Sequence, residues 1–171
     1  LGVIAAVIKK KSSSTKLMSL CDNILPHEKI PFGRYFSSNL LRMLHGHLVQ
    51  SSQTEKELRE VVEKPVYEKR FHPIYTTFPK KIDKQEARNK LQLESDNIIL
   101  YFGIIREYKG FDILLKAIAE LKKEKTDFHL IAVGECYGKD KKYTDLITNL
   151  QISDNITWHN QYIPDEDVAM Y

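Results

Sequence analysis

Apolar and polar positions alternate along this chain in blocks that read as strand, loop and helix. The clearest block runs from Asn97 to Lys122. It opens with Ile98-Ile99-Leu100-Tyr101-Phe102, a continuous apolar run with a β-branched start, which predicts a strand buried on both faces of a parallel sheet. Gly103 ends the run. Beyond a short polar loop, Leu114, Leu115, Ala117, Ile118 and Leu121 recur at helical spacing and predict a helix with one apolar stripe. Two similar units follow. Phe128 to Val133 reads as a second buried strand ended by Gly134, with Tyr143, Leu146, Ile147 and Leu150 marking its helix. Ile156 to His159 reads as a third strand, and Pro164-Asp165-Glu166-Asp167 as the start of a helix. Three strand-helix units in succession predict a parallel sheet with right-handed crossovers.

The amino-terminal half carries weaker versions of the same pattern. Val3 to Ile8 reads as the end of a helix and Lys16 to Cys21 as a short strand. Phe36 to Leu48 is predicted helical, with a brief strand about Leu48-Val49. A capping box at Ser52/Glu55 or Thr54/Glu57 introduces a helix whose inward face is Leu58, Val61 and Val62, and Pro65 stops it. Val66 to Phe71 is a further strand. The polar, proline-containing stretch from Thr76 to Ile82 is the best boundary, dividing the chain into residues 1–75 and 76–171, and Asp83 with Glu86 caps the next helix.

Ligands of open α/β sheets bind at the carboxyl ends of strands. The loop after Phe102 carries Arg106 and Lys109 between Gly103 and Gly110, which suits a phosphate or diphosphate held mainly by side-chain cations. Neither the phosphate loop GxxxxGK[ST] nor a GxGxxG fingerprint is present. Taken alone, such a loop also fits two plain solvent-facing cations. Asp22 and Asn23, with Pro26, His27 and Glu28 beyond, mass polar groups at a second strand end, although Asp and Asn ordinarily populate loops.

Two strings carry a resemblance. FGIIREYKGFDILLKAIAEL is similar to the segment that starts the donor-binding domain in glycosyltransferase family 4, and CDNILPHE resembles the "HN-x-x-PHE" segment of its amino-terminal domain. His72-Pro73-Ile74-Tyr75 looks like that family's domain boundary. The resemblance implies an α/β fold of parallel Rossmann-like sheets with flanking helices, here two incomplete lobes of a GT-B fold. Residues 1–75 would be the carboxyl-terminal part of the acceptor-side domain, and residues 76–171 the first half of the donor-binding domain. It implies transfer of a sugar from a nucleotide-sugar to a hydroxyl on a saccharide or lipid-linked acceptor, with no cofactor. Arg106 and Lys109, with Gly103, match the residues that reach the donor diphosphate. Asn23, His27 and Glu28 match the sugar or acceptor side. Asp22 stands where the family has a His close to the transferred sugar, which makes it the catalytic candidate, and Ile104 stands where many members have Arg. The match maps onto the middle of a two-domain enzyme, so missing parts of its own chain are expected partners, and activity of these residues alone is not expected. A non-catalytic sugar-nucleotide or phosphate-binding module and a structural or interaction domain remain open readings of the residues.

Composition narrows this only slightly. At 171 residues, 42% hydrophobic and 29% charged, the chain reads as soluble and globular, without the apolar run of a membrane span. A net charge of +3, with lysines spread among glutamates, does not single out nucleic acid. The cluster Lys9-Lys10-Lys11 with Lys16 can meet an anionic surface, so peripheral association with the cytoplasmic face of a membrane joins the expectations. Cys21 and Cys136 have neither metal-site nor disulfide spacing, and a reducing cytoplasm is the default. His45-Gly46-His47 is not expected to bind metal, because residues i and i+2 point apart on a helix and no third ligand is spaced nearby. With fixed cations available to a leaving diphosphate, a metal ion becomes optional, and no aspartate pair resembles a dedicated Mg²⁺ site.

Overall fold

A computed structural model describes residues 2–12, 14–26, 30–76 and 78–171. The chain divides into two compact units, Leu1–Ile74 and Tyr75–Tyr171. The first contains α1 (Gly2–Lys11), β1 (Met18–Cys21), α2 (Gly33–Met43), β2 (Gly46–Val49), α3 (Ser52–Val61) and β3 (Tyr67–Lys69). Its strands form a parallel sheet in the order β1-β2-β3. Cys21, Ile24, Leu41, Val49, Leu58 and Val61 make its core. The apolar positions of α3 lie three or four residues apart, so they share the face turned to the sheet.

Two local expectations change here. The helix predicted over Phe36 to Leu48 stops at Met43, because the backbone from Leu44 is extended and pairing with the first strand takes over: the His45 N–H donates to the Leu17 carbonyl at 2.8 Å, and Gly46 pairs with Met18. The capping box lies at Ser51 and Thr54, not at the two pairs the sequence suggested. The Ser51 hydroxyl accepts from the Thr54 N–H, and the Thr54 hydroxyl accepts from the Ser51 N–H, each at 3.0 Å. Threonine supplies the return hydrogen bond that a glutamate gives in the usual form of the motif.

The second unit contains α4 (Lys84–Lys90), β4 (Ile98–Phe102), α5 (Phe111–Lys123), β5 (His129–Val133), α6 (Lys141–Asn149) and β6 (Ile156–His159). The order is β4-β5-β6, parallel throughout. Asp83 caps α4 by accepting from the Gln85 and Glu86 N–H groups. The residues after Pro164 form a 3-10 turn, Asp165–Met170, in place of an α-helix. Phe111, Leu115 and Ile118 of α5 pack with Leu130, Ala132, Tyr143 and Ile147 into one core.

Burial on both faces holds for the central strand β5 but not for β4. Leu100 and Phe102 are 44% and 46% exposed, whereas Leu130 to Val133 are buried. The apolar run of β4 belongs to an edge strand, and α5 covers only its Ile99 and Tyr101 side. A continuous apolar strand thus presents one uncovered face among the described residues.

Candidate functional site

Strands β4 and β5 both end in a glycine with positive φ, +127° at Gly103 and +134° at Gly134. The two backbones meet there. A Cβ on Gly134 would overlap the carbonyl oxygen of Gly103 and lie 2.6 Å from its carbon. Pairing continues beyond the contact: the Gly103 N–H donates to Val133, Ile105 to Glu135, and Tyr137 back to Ile105. The loops after β4 and β5 therefore leave the sheet as a zipped pair, joined by a parallel bridge between Ile105 and Cys136. A third loop joins them, since the Cys136 N–H donates to Asn160 Oδ1 at 2.7 Å.

This ladder carries the cations. Ile105 is fully buried and anchors the loop, so Arg106 emerges beside Tyr137 with its guanidinium carbon 4.5 Å from the ring centroid. A 3-10 turn, Glu107–Lys109, then brings Lys109 back over the strand end, where its ammonium lies 3.8 Å from the Cβ position of Gly103. Among the described residues no carboxylate pairs with Lys109. Gly110 closes the turn and begins α5. Phe111 is fully buried against Tyr101, Tyr143 and Trp158, with ring centroids 5.0, 5.3 and 5.5 Å away, and this aromatic bed fixes the start of α5. Lys142 pairs with Glu107 at 2.9 Å, a tie between the 3-10 turn and the first turn of α6. Burial raises the Tyr101 and Tyr143 hydroxyls and the Cys136 thiol above their ordinary pKa values, so these groups stay neutral at physiological pH.

A cleft of about 150 Å³ opens at the carboxyl ends of all three strands, lined by Phe102, Gly103, Ile104, Gly134 and Tyr162. Its walls are mainly apolar, with Glu135 and Gln161 among the lining residues and Lys109 at the Gly103 side. Such a recess with a cation at its rim can hold the apolar face of a ring and an attached anion. Arg106, Lys109 and Gly103 are thus brought together at the edge predicted for them. Gly134 ends an apolar strand just as Gly103 does, and that signal marks the loop through Tyr137 as a second strand-end loop of the site.

The first unit has its own polar cleft, of about 410 Å³, at the carboxyl end of β1. Asp22 and Asn23 are exposed there, facing Ser51, Gln53, Lys56 and Glu57 from the first turns of α3. The α3 side of this cleft had no sequence signal beyond its capping residues. His27 and Glu28, predicted for the sugar or acceptor side, lie outside the described residues. His45 and His47 are both engaged structurally: His45 Nδ1 accepts from the Leu17 N–H at 3.0 Å, and His47 Nδ1 lies 2.8 Å from the Ser19 hydroxyl. Among the described residues no three His, Cys, Asp or Glu side chains cluster to hold a metal ion, and no helix is long and apolar enough to cross a membrane.

Comparison with known proteins agrees with the fold. D-inositol 3-phosphate glycosyltransferase of Segniliparus rotundus is 32% identical over 116 residues, which cover 66% of this chain and 24% of that protein. Sucrose-phosphate synthase from Thermosynechococcus elongatus superposes with a TM-score of 0.81 at 19% identity, over 99% of this chain and 45% of its own. Anabaena HepE in complex with UDP-glucose gives 0.76 at 16% identity, over 95% of this chain and 46% of its own. At those identities the two structures establish fold alone, and each unit here is an incomplete Rossmann-like lobe. The chain spans about a quarter of the curated relatives it matches. The profile of the family described as glycosyl transferases group 1 matches residues 83–171, just over half of the chain, and the chain belongs to that family.

Proposed function

We propose that this chain is part of a nucleotide-sugar-dependent glycosyltransferase that transfers a sugar to a hydroxyl of a saccharide or lipid-linked saccharide. The observation that carries the reading is the Lys109 ammonium seated over Gly103 at the rim of the strand-end cleft, with Arg106 on the same loop. In this reading Tyr75–Tyr171 binds the donor and Leu1–Ile74 the acceptor. The bond between the sugar's anomeric carbon and the diphosphate breaks, and its electron pair leaves with the diphosphate. The acceptor hydroxyl oxygen forms the new bond, and its proton passes to a base, for which Asp22 at the end of β1 is the candidate. Lys109 and Arg106 offset the charge gathering on the diphosphate, which accelerates the step to the extent that they bind the departing group more tightly than the bound donor. Asn23, His27 and Glu28 belong to the sugar or acceptor side. The UDP-glucose bound by HepE supports a nucleotide-sugar as donor. A peripheral position at the cytoplasmic face of a membrane, through Lys9, Lys10 and Lys11 of α1, goes with a lipid-linked acceptor.

Steady-state kinetics of Lys109→Ala in the full-length protein, with nucleotide-sugars varied in base and sugar, test the reading. Loss of the cation should lower kcat/KM by roughly 2 to 4 kcal/mol of transition-state stabilisation, as removal of an oxyanion donor does. An unchanged melting temperature would show that the fold is kept. A kcat/KM within about twofold of the unmutated protein would return Lys109 to the role of a solvated surface residue.

A further inference from the structure

We infer that Tyr137 is a positioning residue for Arg106: its ring is the platform that holds the guanidinium in place for the donor diphosphate. The inference rests on the reading of the loop as a diphosphate site. It starts from register. The bridge between Ile105 and Cys136 makes Arg106 and Tyr137 the next neighbours on two parallel segments, and the Tyr137 N–H donating to the Ile105 carbonyl at 3.0 Å fixes that alignment. The guanidinium carbon is 4.5 Å from the ring centroid, within the range of a cation–π contact. Tyr137 is 71% exposed, so its ring is not held there as part of the core. Arginine loses several rotatable bonds when it binds an anion, and a stacked guanidinium has lost part of that freedom beforehand. The Cys136–Asn160 hydrogen bond ties the Tyr137 loop to the loop after β6, and the Lys142–Glu107 pair ties the Arg106 loop to α6, so each segment has a further anchor besides the bridge between them.

The test is binding of UDP, GDP and ADP to the full-length protein by calorimetry, using whichever binds best. Tyr137→Ala and Tyr137→Leu should weaken binding by about threefold to tenfold, while Tyr137→Phe, which keeps the π face, should bind as the unmutated protein does. Arg106→Ala should weaken binding at least as much, and adding Tyr137→Ala to it should change nothing further. Melting temperatures of all variants should stay together, given the exposure of the ring. Unchanged or tighter binding by Tyr137→Ala, a Phe variant as weak as the Ala variant, or additive losses in the double variant would each overturn the positioning role. If Arg106→Ala binds the nucleotide as well as the unmutated protein does, or if none of the three nucleotides binds, the diphosphate reading itself fails and the inference falls with it.

Discussion

Substituting Gly134 by alanine tests the joint between the two strand-end loops, and Gly138 supplies an internal control. Both glycines have φ in the region that side chains rarely adopt, +134° and +121°. Their surroundings differ. A Cβ at Gly138 meets nothing within 4 Å, whereas one at Gly134 runs into the Gly103 carbonyl group. Gly138→Ala should therefore carry backbone strain alone, about 1 to 3 kcal/mol. Gly134→Ala should carry the same strain plus that of forcing two backbones apart, roughly a further 1 to 3 kcal/mol by analogy with overpacked cores. The contact cannot be relieved by rotating a side chain, because the Gly103 carbonyl oxygen, carbonyl carbon and Cα that it meets are all backbone atoms, and the Gly103 N–H is itself paired with Val133. Urea unfolding followed through Trp158, the single tryptophan of these residues and a neighbour of Phe111 in the second unit, reads the difference. The midpoint of Gly134→Ala should lie below that of Gly138→Ala with an unchanged slope. Equal destabilisation of the two variants, within about 0.5 kcal/mol, would refute the claim that the close approach of Gly103 and Gly134 is tight and rigid.

Glu55 makes the first unit sensitive to acid. Hydrogen bonds from the Tyr67 hydroxyl and Lys69 hold its carboxyl at about 2 against an ordinary 4.5, so it contributes stability above about 4.5 that is lost as pH falls toward 2. Thermal melts across that window should show a steeper fall for the unmutated chain than for Glu55→Gln, and parallel curves would remove the carboxylate from the account. Ser51→Ala should destabilise the first unit by about 0.5 to 2 kcal/mol through loss of the hydroxyl that accepts from the Thr54 N–H, whereas Ser52→Ala should stay within about 0.5 kcal/mol, as measured by urea unfolding.

Local pattern determined much of this protein. Continuous apolar runs ended by Gly103 and Gly134 and helical stripes such as Leu114, Leu115, Ile118 and Leu121 are properties of neighbouring residues, so strands, helices and parallel order were legible from the chain. The loop from Arg106 to Lys109 was legible for the same reason: it sits within one strand-loop-helix unit. What sequence could not state was anything that depends on residues distant along the chain. The burial of β4 on one face only follows from packing, since α5 covers its Ile99 and Tyr101 side and leaves Leu100 and Phe102 exposed. The end of α2 at Met43 follows from pairing between Leu17 and His45, 28 residues apart. The seat of Arg106 on Tyr137 follows from the close approach of the two loops at Gly134, where any Cβ would run into the Gly103 backbone. Periodicity encodes which face of an element is apolar, but only packing decides what that face meets.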